Sequence, residues 1–330
     1  MNQTFPDTNI VFMCGHRKCG TTMSLNLFDH HSQLCVYPMD LTFLYAYFPQ
    51  FVKENKDVDT LRARIKTLST DRLRDGNYLE KAQIDEMESS IFLKLTSEDD
   101  FLDVSNVINT VLESYKQVVC TDKKGYKWTF VKETSIEIYA QQVREWFPHA
   151  RFIQILRDPR DNYAALKAGV GKYYGKFGED EMVTMFSLIN RLGTGMRMGR
   201  LNHGMFGDDD YRLVKFEDIV SRPKEVMKDM ASWLDISFED TLLIPTKSGQ
   251  PTFGNNYDGK KFSGISKAHA GAWKERINDE EAKIIEFYLG DLMEDYGYER
   301  AFSVKDCMEA ATDFYKWVNY RYFYFDAFKK

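Results

Sequence analysis

Phe12-Met13-Cys14-Gly15-His16-Arg17-Lys18-Cys19-Gly20-Thr21-Thr22 decides the fold of this 330-residue chain. An apolar strand ending at Met13 runs into a cationic turn bounded by Gly15 and Gly20, and a helix opens near Thr21. The glycines let backbone approach a ligand closely, and the helix start turns unpaired N–H groups and the positive end of its dipole toward that ligand. The stretch therefore reads as a cradle for a phosphate-like anion, completed by Lys18 and the hydroxyls of Thr21 and Thr22.

Outward from the cradle, residues 23–28 fit a short helix and Cys35-Val36-Tyr37-Pro38 a short strand or turn, so the chain opens as a βα unit. Apolar residues at helical intervals, Leu61, Ile65 and Leu68 and later Val104, Val107, Ile108 and Val111, predict a helical insertion over about 53–116. Thr129-Phe130-Val131-Lys132 is a β-like run, 136–146 a helix that stops before Pro148, and Arg151–Leu156 a buried strand. Further on, 182–198 reads as helix, 202–210 as a turn, 211–216 as a strand and 225–234 as helix. Alternating strands and helices imply an α/β chain with a P-loop-like, three-layer fold, a central parallel sheet flanked by helices. Its ligands belong beyond the carboxyl ends of the strands, and Lys18, Lys132 and Arg157 all fall at or just after such ends.

Residues 1–300 form one domain in this reading, and 301–330 an aromatic-rich helical tail. So much aromatic surface does not stay in water, so the tail is expected to pack back on its own domain, a homodimer contact or a wall of the acceptor site being its other uses. A net charge of −6 leaves no basic excess for nucleic acid. Five cysteines without a C-x-x-C pair indicate neither a zinc site nor a disulfide framework, and reduced thiols point to the cytoplasm. The polar 1–9 stretch is read as leaving no room for a signal peptide or a membrane anchor. The histidines form no metal-ligand spacing.

The position of the lysine separates two kinds of cradle. Nucleotide triphosphatase loops, G-x-x-x-x-G-K-[ST], place it directly after the second glycine, where this chain has Thr21; Lys18 lies two residues before Gly20, inside the turn. In this the stretch resembles the 5′-phosphosulfate loop of sulfotransferases that use 3′-phosphoadenosine 5′-phosphosulfate (PAPS). The resemblance implies that Arg17, Lys18, Cys19, Gly20, Thr21 and Thr22 hold the 5′-phosphosulfate. Lys18 would act on the bridging or leaving oxygen, its plain alternative being a solvated surface lysine.

Arg157-Asp158-Pro159-Arg160-Asp161 is similar to the family's 3′-phosphate motif, an apolar strand followed by R-[ND]-P, and makes Arg157 the clamp. The structural alternative is an Arg157–Asp161 ion pair. The serine that the family usually places eight residues on is Ala165 here. Lys215-Phe216-Glu217-Asp218 resembles the segment whose aromatic ring lies near the adenine, so Phe216 joins the cofactor site. Pro245-Thr246, Gly249, Gly254-Asn255-Asn256 and the 264–274 run resemble the loop that ends in glycine, any residue, tryptophan, lysine and closes over the 3′-phosphate. That register makes Lys267, Ala268 and Gly271 cofactor-binding, with Ser266 where an arginine is usual and Trp273 read as core.

For the base, Pro38-Met39-Asp40-Leu41-Thr42-Phe43 resembles the carbohydrate-type segment Pro-Lys-Glu-Leu-x-Phe, which puts Asp40 in the place of the acid. Glu133 is the rival and stands behind it, and Lys132 would stabilise the sulfuryl oxygens. The plain alternatives are Asp40 as a helix N-cap and Glu133 as an ion-pair partner of Lys132. The whole reading is a PAPS-dependent sulfotransferase that needs no metal and acts on a hydroxyl, or an amine, of a polar small molecule or soluble glycan. The alternatives are a P-loop kinase or NTPase, which would need a lysine after Gly20 and carboxylate-held magnesium, and a non-catalytic nucleotide-binding module, suggested by Ala165 and Ser266.

Overall fold

The structure is a computed structural model and describes residues 3–121, 125–252, 257, 259, 262 and 264–321. Five parallel strands, β1 (Ile10–Cys14), β2 (Leu34–Asp40), β3 (Trp128–Lys132), β4 (Arg151–Leu156) and β5 (Tyr211–Lys215), form one sheet in the order β2-β3-β1-β4-β5. Every residue of β1 is fully buried. Such a continuous apolar run belongs to a parallel strand covered on both faces. Because side chains alternate along a strand, Ile10, Phe12 and Cys14 join the core under the helical insertion, with Val107, Ile108, Val111 and Phe152. Val11 and Met13 join the opposite layer, with Leu25, Phe28, Phe130 and Met230.

Register brings the strand ends together. Met13 pairs with Lys132 on one side and with Ile153 on the other, and Leu156 of β4 pairs with Lys215. On the edge strand a register irregularity between Val36 and Asp40 sets Asp40 opposite Lys132, the re-aiming that a bulge performs. The chain moves to one side of β1 for β2 and β3 and to the other for β4 and β5, so the cradle sits where the strand order reverses.

Three boundaries differ from the sequence expectation. Residues 34–40 form a full strand. The insertion is helical from Phe43 through Val119, its longest element being the helix Val104–Val119. The expected turn at 202–210 begins only at Gly207, because the helix Gly193–Phe206 continues through Asn202. That asparagine is buried and donates from Nδ2 to the Glu137 carbonyl at 2.7 Å. Glycine in this helix serves close packing: a Cβ on Gly199 would stand 2.2 Å from Gln154 Oε1.

The helix Val304–Asn319 lies on the helix Asp279–Asp295, with Cys307, Ala311 and Phe314 inward at helical spacing. Phe314 packs against Tyr288 and Trp317, whereas Tyr315 and Tyr320 point outward, at 60% and 59% exposure. Tyr322, Phe323, Tyr324, Phe325 and Phe328 lie outside the described residues. Among the described residues no helix is long and apolar enough to cross a membrane.

Glu286 ties this end of the chain to the sheet. Fully buried, it accepts from Arg160 Nη1 at 2.6 Å and from the amides of Ala301 and Phe302 at 3.0–3.1 Å. Removing one partner of a buried ion pair strands the other charge and costs about 3–5 kcal/mol. Glu286→Ala is therefore expected to lower urea stability by about that amount and to quicken proteolysis after 300; unchanged unfolding would contradict the role.

Candidate active site

The loop after β1 is shaped by close approach. Gly20 sits at φ 105, and a Cβ there would lie 2.4 Å from the Phe216 ring, so only glycine fits. The helix Thr21–Phe28 starts immediately after it, leaving the first-turn amides to face the cleft. Cys19 is fully buried, its thiol pushed up to about 12 by desolvation, so it is no nucleophile, and its amide closes the turn on the His16 carbonyl at 3.1 Å. Lys18 lines the cleft with its Nζ 3.8 Å from the centroid of the Tyr257 ring. Arg17 does otherwise than expected. Its guanidinium leaves the cradle for a bidentate pair with Glu179, at 2.9 and 2.6 Å, and lies over the Tyr174 ring.

Asp40, Lys132 and Thr22 meet at the cradle. Lys132 Nζ is 2.8 Å from Asp40 Oδ2 and 3.2 Å from Thr22 Oγ1. Thr134 donates to Asp40 Oδ1 at 3.3 Å, and Arg72, from the helical insertion, donates to the Asp40 carbonyl at 3.0 Å and to Thr42 Oγ1 at 2.7 Å. Asp40 is thus a strand-end residue paired with Lys132, not a helix N-cap. Glu133 turns away into the protein. Burial, then the nearby Asp40 charge, push its carboxyl well above the usual range, and its Oε2 has no hydrogen-bond partner among the described residues.

Across the cleft, Arg157 is 5% exposed and lies over the Phe216 ring at 4.7 Å. It donates from Nη1 to the Lys18 carbonyl at 2.8 Å and from Nη2 to the His269 carbonyl at 2.7 Å, bridging the cradle to the 264–271 loop. Its Nε is buried with no hydrogen-bond partner among the described residues. The expected Arg157–Asp161 alternative does not form as a close pair. Asp161 instead accepts from the Gly271 amide at 2.6 Å, and burial, opposed by the Arg157 charge, lifts its carboxyl to about 6. Glu217 accepts from the Asp158 amide at 3.0 Å and from the Tyr298 hydroxyl at 3.0 Å, which explains an acid just after Phe216.

Of the loop residues carried over by resemblance, Lys267 and Ala268 are exposed and do not line the cleft, and the Gly271 amide is taken by Asp161. Ser266, His269 and Arg276 line it instead. Trp273 is core, 6% exposed beneath Arg160. Gly254, Asn255 and Asn256 lie outside the described residues. Reading motifs missed Arg72, Thr134, Tyr257 and Arg276: the first stands in the insertion, where no motif exists, and the others occupy positions that the motifs leave open. Among the described residues no three His, Cys, Asp or Glu side chains gather as a metal site.

A cradle at a strand-to-helix turn, a basic and acidic pair beside it and an arginine at a second strand end provide for an anion with two separated charged groups. No curated protein matches the chain. Among solved structures it is similar to the sulfotransferase domain from the curacin biosynthetic pathway, at 16% identity over 89% of this chain and 99% of that one, with a TM-score of 0.59. It is also similar to the sulfotransferase domain from the Synechococcus PCC 7002 olefin synthase, at 16% identity over 96% of each chain, with a TM-score of 0.53. At these identities the likeness speaks for the fold. The model of the sulfotransferase family matches residues 10–240, from the first strand through the cradle, Lys132, Arg157 and Phe216. The chain belongs to the sulfotransferase family and is a PAPS-dependent enzyme of it.

Proposed function

We propose that this enzyme moves the sulfuryl group of PAPS to a hydroxyl of a small polar molecule or soluble glycan, an amine being the second acceptor type, with Asp40 as the base. The observation that carries the reading is the Asp40–Lys132–Thr22 contact at the first turn of the cradle helix. It sets a carboxylate beside a cation where charge builds up during transfer. Glu133 is the weaker candidate, because burial and the nearby Asp40 charge push its carboxyl up and disfavour the charged form that a base needs.

The chemistry follows from charge. In-line transfer spreads negative charge over the peripheral oxygens of the moving group and onto the leaving phosphate. The amides from Gly20 to Thr22, with Lys18 and Lys132, meet that charge without reorganising. The acceptor oxygen forms the new bond to sulfur, the bond from sulfur to the 5′-phosphate oxygen breaks, and the acceptor proton passes to Asp40. Products are a sulfate ester and 3′-phosphoadenosine 5′-phosphate. Tyr45, 42% exposed and hydrogen-bonded through its hydroxyl to the Thr134 carbonyl, presents a flat ring beside the base. A ring face next to a polar group suits a sugar-like acceptor. All five cysteines are buried free thiols, which supports work in the reducing cytoplasm.

An acceptor screen with labelled PAPS, read by mass spectrometry, tests the activity. Asp40→Asn is expected to lower kcat by about 10²–10⁴, the usual worth of a positioned base, while nucleotide binding stays unchanged. Normal turnover in that variant would remove Asp40 from the role. Glu133→Gln is expected to keep most activity; a loss as large as that of Asp40→Asn would reverse the assignment. Lys18→Ala is expected to lower kcat by about 10²–10³, the effect of deleting one transition-state donor, and full activity would sink the cradle reading.

A further inference from the structure

The 3′-phosphate side of the cleft lacks two groups that the sequence resemblance leads one to expect. Position 165 carries alanine instead of a hydroxyl, and position 266 carries serine instead of arginine. Both residues nevertheless line the same cleft as Arg157, so the space is present and its polar equipment is altered. A pocket for a dianion with only one buried arginine would be poorly matched in charge.

Arg276 reaches this place from another part of the chain. Its Nη2 donates to the Ala164 carbonyl at 3.3 Å, which sets the guanidinium at the rim of position 165, and the side chain lines the cleft with Arg157, Ser266 and His269. The backbone that delivers it is fixed from both sides. The Gly271 amide donates to Asp161, the short 3-10 helix Ala272–Glu275 follows, and the Arg276 amide closes it on the Trp273 carbonyl at 2.9 Å. Trp273 is pinned in turn under Arg160, with 4.3 Å between the guanidinium carbon and the ring centroid. Asp161, Arg160 and Ala165 all belong to the helix Pro159–Val170, so helix and loop move as one piece.

Two guanidinium groups that share one cleft wall repel each other. Burial is the main cause that draws the Arg157 pKa down, and the Arg276 charge adds to it. An anion bound between them turns that repulsion into two attractions, and a guanidinium can offer phosphate two parallel N–H groups where a serine offers one.

The geometry points to Arg276 as a second clamp on the 3′-phosphate of the nucleotide, one that replaces both the hydroxyl missing at Ala165 and the arginine missing at Ser266. This rests on the PAPS reading above. Lys267, exposed and off the cleft wall, has no part in the clamp.

The test measures calorimetric affinity for 3′-phosphoadenosine 5′-phosphate and for adenosine 5′-monophosphate, which lacks the 3′-phosphate, in the full chain. Arg276→Met keeps the apolar stem and removes the charge. Losing a charge-assisted contact of this kind corresponds to about 10- to 100-fold, so the bisphosphate is expected to weaken by that factor while the monophosphate is unaffected. Adding Ala165→Ser to Arg276→Met is expected to restore part of the bisphosphate affinity and none for the monophosphate, a rescue that a merely structural role would not give. An equal loss for both nucleotides, or no loss, overturns Arg276 as a clamp. A wild-type protein that binds the two nucleotides equally overturns the PAPS reading itself, and the clamp with it.

Discussion

The register of β1 between β3 and β4 is the constraint on which the site depends. Met13 stands level with Lys132 and with Ile153, so the loop after β1, the Lys132 side chain and the Arg157 turn emerge at one edge of the sheet within reach of one ligand. A slip of one residue would turn every β1 side chain to the other face. It would set Phe12 against the helix Thr21–Phe28 and move the cradle out of line with its partners. Both faces of the strand are packed, which is why that slip does not occur.

From this frame the site assembles through contacts between distant parts of the chain. Phe216 packs against Gly20 on one side and under Arg157 on the other, so one ring fixes the shape of the cradle and the pose of the clamp together. Arg157 in turn holds the Lys18 and His269 carbonyls, joining the cradle to the 264–271 loop. The acidic residues divide by environment. Asp40, at a strand end, is paired with a cation, whereas Glu133, one residue beyond that cation, is buried and its carboxyl is pushed up. Neighbouring carboxyls with different surroundings take different roles, as the desolvation cost of a charge requires.

What the sequence disclosed, and what it did not, follows from how far each contact reaches along the chain. The cradle, Lys132 and Arg157 were legible because each follows an apolar run that must be a strand, and a parallel sheet puts such ends together. The Arg17–Glu179 pair was not legible, since the two residues lie 162 positions apart with no pattern to announce it. The exposed position of Lys267 was not legible for a related reason: a shared motif gives a register, but side-chain direction depends on how the loop is tied down, here through Gly271 to Asp161. That the helix Gly193–Phe206 runs on past 198 could not be read from the sequence, because contacts that fix it, Asn202 to the Glu137 carbonyl among them, join distant parts of the chain. In the structure Gly199 makes room for Gln154.

The central claim is that one edge of this sheet holds a nucleotide by two separated phosphates, with the sulfuryl group directed at Asp40. A crystal structure with bound 3′-phosphoadenosine 5′-phosphate tests it most directly. The account predicts the 5′-phosphate on the amides of Gly20 to Thr22 beside Lys18, and the 3′-phosphate on the cleft wall of Arg157 across the Phe216 ring. A nucleotide bound in the reverse sense, with its 5′-phosphate at Arg157, or outside this cleft, would contradict it.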